Sequence, residues 1–387
     1  MTGPQVGAHR GSQTGTPGGS QEPPLRIGVL TGHNPHDRNS FSGTPYYMMK
    51  ALERRPDATV QVLGNHRPGP RSIPERVWRR IRPRPAFSFD PATVDVDMVL
   101  APVASGLVAR HADALPCPVL FLTDATPAFL REFYGHVIPP EADRIEAEAL
   151  AAAAGSIYSS RYMADRALVE FPGTDPARVH ALPFGINLDH LPDAVPAKPP
   201  LDELRLLFIG QDWARKGGAI ALATLERLLD LGVRARLSVI GSSSPEADAH
   251  PAVDVLGYLD KNDPAEARRF VEALKATHLF LLPTRADCTP MVVAEVNAYG
   301  CPVLITDTGG IGSLMAEGVN GRMLPLEAGP DAWAEAVRDL TADPTAYGAL
   351  CASSFRHAHE RLSWDAWADG IMTIARSIPG LQERRAG

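Results

Sequence analysis

The sequence predicts an α/β protein made of two doubly wound, Rossmann-like units in tandem. From Leu25 onward, short apolar runs of strand length alternate with helical segments, the pattern of a parallel sheet covered by helices. That alternation stops at a Pro-rich interval, INLDHLPDAVPAKPPLDE, whose weak periodicity reads as a linker, and then restarts. A chain of 387 residues also exceeds one core, since single cores rarely grow far past about 250 residues.

Residues 1–24, MTGPQVGAHRGSQTGTPGGSQEPP, have little to bury and predict a disordered tail. They lack the apolar centre of a signal peptide, and no run in the chain approaches the ~20 residues of a membrane span, so the expected location is cytoplasmic. The first unit, residues 25–195, has strand candidates LRIGVLT, TVQVLG, VDMVLAPV, PVLFLT, GSIYSS and RVHALPF, with helices expected at 44–54, 106–114, 141–154 and 162–171. In the second unit, residues 196–362, the strands are LRLLFIG, ARLSVIG, VDVLGYL, HLFLLP and PVLITD, with helices at 216–230, 264–276 and 290–299. Residues 363–378, SWDAWADGIMTIARSI, read as a last amphipathic helix that returns to complete the first unit, which would then include 363–387.

Hydrophobic content of 44% and charged content of 21% are those of an ordinary globular protein. A net charge of −7 and an isoelectric point near 6.0 argue against nucleic acid as a partner. Cys117, Cys288, Cys301 and Cys351 show neither C-x-x-C pairing nor Cys/His ligand spacing, so neither a disulfide framework nor a zinc site is expected. The arginine-rich run RPGPRSIPERVWRRIRPRP, which begins at Arg67 and ends at Pro85, interleaves Trp78 and Ile81 with cations. It reads either as a solvated face or as a peripheral contact with a membrane surface or anionic acceptor.

Several segments could carry chemistry. PTRADCTPMVVAEVNAYG, residues 283–300, sets Asp287 in a strand-to-helix turn and Glu295 on the helix that follows. Thr289 is the expected N-cap and Pro290 the first helical residue, with free amides near Met291 and Val292 favouring a diphosphate. One carboxylate could then hold hexose hydroxyls and the other ribose hydroxyls. The plain alternative is a turn cap at Asp287 and a solvated helix residue at Glu295.

FIGQDWARKGG, residues 208–218, runs from a strand through Gly210 and Gln211 to adjacent Arg215 and Lys216, cations that could neutralise a diphosphate leaving group. It matches neither the Walker loop nor the G-x-G-x-x-G fingerprint. In TDTGGIGSLMAEGVNGRMLP the amides of Gly309, Gly310 and Ile311 could line the same cleft, unless the glycines serve only a turn. The loop TGHNPHDRNSFSGTP presents Ser42, Gly43 and Thr44 toward the second unit, while His33 and His36 read as loop residues without ligand geometry. Thr123 and Asp124 follow a buried strand, where a carboxylate is placed either for function or to cap the next helix.

Together these segments resemble the family 4 glycosyltransferases of the GT-B fold, in which two Rossmann-like domains face a central cleft. The most specific stretch runs from Phe208 to Pro325, and SGTPYYMMKAL, LFLTDAT, IYSSRYMADRAL and RVHALPFGIN extend it more weakly through the first half. The resemblance implies transfer of a hexosyl group from a nucleoside-diphosphate sugar to a hydroxyl acceptor, with retention of configuration and no required cofactor or metal. The family's E-x₇-E element is D-x₇-E here, which puts Glu295 on the donor ribose and the shorter Asp287 beside the sugar. Lys216 matches the diphosphate lysine, and Arg215 would replace the arginine that many members carry where this chain has Gln211. Cys288, Thr289, Pro290 and Met291 occupy the loop usually written E-G-F-G, Ser42 and Gly43 the small-residue loop near the phosphates, and Thr123-Asp124 the place of a His-Asp pair. Two other readings stay open: another GT-B enzyme, such as an epimerase or phosphorylase, or a non-catalytic sugar-nucleotide-binding protein.

Overall fold

The computed structural model describes residues 23–38, 40–64 and 89–381. The expected tail, apart from its last two residues, and the arginine-rich run lie outside these described residues. Among the described residues there are two six-stranded parallel sheets. The first contains β1 (Leu25–Leu30), β2 (Ala58–Leu63), β3 (Met98–Pro102), β4 (Val119–Thr123), β5 (Gly155–Tyr158) and β6 (Val179–Ala181), in the order β2-β1-β3-β4-β5-β6. In the second, β7 (Leu204–Gly210), β8 (Ala235–Gly241), β9 (Val253–Gly257), β10 (Leu279–Leu282), β11 (Val303–Thr306) and β12 (Gly321–Leu324) are ordered β12-β11-β10-β7-β8-β9.

Strands covered on both faces carry continuous apolar runs, and MVLAP, VLFLT and LFLL are buried throughout. At the sheet edges, β2 alternates exposed and covered residues and β9 is fully buried at none of its positions. Strand order reverses between β1 and β3 in one sheet and between β7 and β10 in the other. Open parallel sheets bind ligands at such reversals, outside the carboxyl ends of the strands. The loops of interest follow β1, β7 and β10.

The second sheet packs around Leu207, Phe208, Leu281, Val303 and Trp333. One face of the first sheet is closed by the helix Trp364–Ser377, whose Trp364, Trp367, Ile371 and Met372 are buried with Leu25, Ile27, Met98 and Leu120. Gly185 permits this return, because a Cβ there would lie 2.4 Å from the Trp364 ring. On the other face the cluster includes Phe121, Phe129, Tyr158 and, from the second unit, Cys288.

The elements differ from the sequence reading in two ways. The helix expected over 216–230 is two, Trp213–Lys216 and Gly218–Asp230, broken at Gly217. Gly217 has φ of 78°, and a Cβ there would lie 1.9 Å from the Pro283 carbonyl oxygen, so the break presses this loop onto the exit of β10. Strand β12 and the helices Pro330–Thr341 and Pro344–Arg361 were not anticipated, and the helix expected just after Asp124 runs Pro127–Tyr134. Among the described residues, no helix is long and apolar enough to cross a membrane.

Candidate active site

Asp212 opens the loop after β7 by accepting a hydrogen bond from the Arg215 amide at 3.0 Å, which caps the one-turn helix Trp213–Lys216. The turn delivers Lys216 to Asp287, and the two form an ion pair with side chains 14% and 5% exposed. Gly210 makes room for that lysine, since a Cβ there would lie 2.9 Å from Lys216 Cγ. Gln211 is exposed beside it. Arg215, expected to face a diphosphate, is occupied otherwise: Nη1 donates to the Ala286 carbonyl at 2.8 Å, Nε lies 3.4 Å from Asp212, and the guanidinium sits 4.1 Å over the Tyr134 ring.

The turn after β10 corrects one expectation. The helix runs Met291–Asn297, with Pro290 at the N-cap and no side-chain cap. The Thr289 hydroxyl bonds that of Ser159 in the first unit instead, at the seam where both are buried, so it cannot reach back to the helix amides. Cys288 is likewise spent on the first unit, its side chain in that core and its amide donating to Tyr134 Oη at 3.1 Å.

One amide of the glycine pair is already committed. Gly310 N–H donates to the Asp287 carbonyl at 2.9 Å and is not free for a ligand. Both glycines are there for close approach, because Cβ atoms at Gly309 and Gly310 would lie 2.2 and 1.8 Å from the carbonyl oxygens of Asp287 and Cys288. They hold the carboxylate-bearing loop in place.

Glu295 is 1% exposed, which excludes a solvated surface role. One oxygen pairs with Lys261, and Oε2 has no hydrogen-bond partner. A buried carboxylate oxygen without a donor is costly, and a ligand hydroxyl would relieve it. Lys261 was not anticipated; its only signal in the sequence is a cation just past β9, in GYLDKND. It also lies 4.7 Å over Phe270 and 3.5 Å from the Asn187 carbonyl.

Asn187 joins this end of the site to the first unit. Its Nδ2 donates to the Ser42 carbonyl at 2.8 Å and approaches Thr44 Oγ1 at 3.5 Å, while Oδ1 accepts from Trp364 Nε1 at 3.0 Å. It thereby holds a strained turn in which Phe41, Ser42 and Gly43 have φ of 49°, 56° and 84°. Ser42 is exposed, whereas Gly43 and Thr44 are buried. Beside Lys261, a cavity of about 770 Å³ is lined by Arg38, Tyr47, Asp189, Phe270 and Tyr299, among others.

At the exit of β4, the helix Pro127–Tyr134 is capped by Thr126, which accepts from the Phe129 amide at 3.2 Å. Asp124 is therefore not the cap. Burial, reinforced by the charge of Asp287, pushes its carboxyl up to about 6. Thr123, where the resemblance has a histidine, turns its hydroxyl to the Ala125 carbonyl at 3.3 Å. Among the described residues no group of three or more His, Cys, Asp and Glu side chains is placed to hold a metal ion.

The loops after β7 and β10, with their paired lysine and carboxylate, fall within residues 203–343, which match the family described as Glycosyl transferases group 1. Curated relatives include the D-inositol 3-phosphate glycosyltransferase of Xylanimonas cellulosilytica, 28% identical over 259 residues, covering 62% of this chain and 61% of the relative. The corresponding enzyme 1 of Catenulispora acidiphila is 29% identical over 258 residues, covering 62% and 61%. The chain thus spans about 61% of the length of these relatives. Among solved structures, sucrose-phosphate synthase from Thermosynechococcus elongatus superposes with a TM-score of 0.66 at 16% identity, covering 94% of this chain and 100% of that one. HepE of Anabaena, in complex with UDP and glucose, gives 0.61 at 14% identity, covering 91% and 100%. The chain has the GT-B fold.

Proposed function

We propose that the chain is a glycosyltransferase that moves a hexosyl group from a nucleoside-diphosphate sugar to a hydroxyl acceptor with retention of configuration. Residues 196–362 would carry the donor, and residues 25–195 with the returning helix the acceptor. The observation that carries this reading is the pair of buried carboxylates on one turn-helix segment, each matched by a lysine from another loop, with Glu295 Oε2 left unpartnered. The glycosyltransferase names of the relatives, and the UDP and glucose bound by HepE, agree with such a donor. Four buried free thiols fit a reducing, cytoplasmic setting.

In this mechanism Glu295 receives the ribose hydroxyls through its free oxygen. Lys216 neutralises the departing diphosphate, and Asp287 lies against the transferred sugar. The bond from the anomeric carbon to the diphosphate breaks, the acceptor oxygen bonds that carbon, and the acceptor proton leaves. Asp124, ionised above about pH 6, stands on the acceptor side to orient the hydroxyl and receive that proton. The seam between the units keeps water from the activated sugar.

A second reading, a sugar-nucleotide-binding protein without turnover, draws on the commitment of Arg215 to Ala286 and Tyr134. Acceptor-dependent release of nucleoside diphosphate separates the two. The purified protein, screened against UDP-, GDP- and ADP-hexoses with a panel of hydroxyl acceptors, should release diphosphate with at least one pair; binding without release would favour the second reading.

A further inference from the structure

We propose that Tyr134 is a positioning residue lent by the first unit to the second, aiming the Asp287 carboxylate only when the two units are together. This rests on the role given to Asp287 above. Tyr134 ends the helix Pro127–Tyr134, which Gly135 terminates in the left-handed conformation, φ 63°. Its ring is fixed from within the first unit by Phe129 at 5.9 Å and His136 at 5.5 Å.

Every polar contact found for the Tyr134 hydroxyl crosses the seam. The hydroxyl donates to Asp287 Oδ1 at 3.2 Å and accepts from the Cys288 amide at 3.1 Å, while Arg215 lies 4.1 Å over the ring. Asp287 Oδ2 is held by Lys216 of its own unit. The two carboxylate oxygens are therefore fixed from opposite units. A carboxylate tethered by Lys216 alone can swivel about its side-chain torsions; a donor on the second oxygen removes that freedom.

The phenol suits the task. Burial and the neighbouring Asp287 charge push its pKa far above the ordinary tyrosine value, so it remains a donor at every working pH. Separating the units would remove the hydroxyl from Asp287, the ring from Arg215 and the acceptor from the Cys288 amide together. Chemistry is thus coupled to closure through one side chain, and a donor in an open enzyme would meet a mis-aimed Asp287.

The test uses Tyr134→Phe, which keeps the ring and the Arg215 contact and removes only the hydroxyl. Amide hydrogen exchange at Cys288 is read first, because it needs no substrate. The expected result is exchange about tenfold faster in the variant, the scale of one lost hydrogen bond; unchanged exchange overturns the proposal. With an active donor–acceptor pair, kcat should fall about tenfold at unchanged donor KM, and in an Asp287→Asn background the same substitution should cost less than about twofold, because the two residues act as one unit. Additive losses overturn the proposal. Should the wild-type protein turn over no donor, the transferase reading fails, and the same cycle measured on the thermal midpoint still decides whether the two residues are coupled.

Discussion

Lys261 reaches from the end of the loop after β9 to Glu295, pairing a quarter-exposed ammonium with a carboxylate that is 1% exposed. The pair is asymmetric: only the carboxylate is locked inside. Removing the lysine leaves a buried charge without its counterion, which typically costs about 3 kcal/mol, whereas replacing both partners by neutral groups costs far less. Lys261→Met should lower the unfolding free energy, read by denaturant titration, by that amount, and Lys261→Met with Glu295→Gln should recover most of it. A single-variant loss below about 0.5 kcal/mol would mean that the pair holds nothing in solution.

Lys216 carries the charge opposite the leaving group. Lys216→Ala should reduce kcat by about 10²–10³, the usual consequence of deleting one group that stabilises developing charge. Far-ultraviolet circular dichroism should be unchanged, since the side chain lies at the site and not in the core. Wild-type kcat in this variant would remove Lys216 from the mechanism.

The pH profile tests Asp124, whose carboxyl stands at about 6 instead of 3.8 because it is buried and near Asp287. If the carboxylate form is the active one, kcat/KM falls as pH drops below about 6, and Asp124→Asn loses that acidic limb together with most of the rate. The stability sign is opposite. The folded state holds this proton more tightly than the unfolded chain, so stability declines as pH rises from about 4 to about 6. Above that window Asp124→Asn should be the more stable protein. A variant no more stable at pH 7.5 than at pH 4 relative to wild type would contradict the assigned environment.

Gly185 provides a test of packing alone. A methyl group there would meet both the ring and the backbone nitrogen of Trp364, at 2.4 and 2.5 Å, and the backbone has little room to move. Gly185→Ala should cost about 1–3 kcal/mol, the range for forced overpacking. Differential scanning calorimetry reads it directly, and an unchanged midpoint would show that the helix Trp364–Ser377 is held more loosely than described.

Both sheets were legible in the sequence because their central strands are near-continuous apolar runs, a signal that needs no tertiary information. The carboxylate spacing and the Arg-Lys-Gly-Gly segment were legible because each lies within one short stretch of sequence. What escaped was pairing at a distance. Nothing local shows that Lys261 faces Glu295, 34 residues on, or that Tyr134 faces Asp287, 153 residues on. Thr289 illustrates how such contacts overrule local rules: its hydroxyl is a standard cap in isolation, but Ser159 claims it. Strand β12 was missed because it is four residues long and starts at Gly321, whose close approach to Val303 only the folded sheet reveals.

The returning helix has a consequence for biosynthesis. Leu25, Ile27 and Met98 emerge from the ribosome early, yet the tryptophans that cover them are at 364 and 367. At roughly 5–20 residues per second, the first unit waits tens of seconds with an apolar face uncovered while the whole second unit is made. The half of the chain synthesised first is therefore the half that finishes folding last.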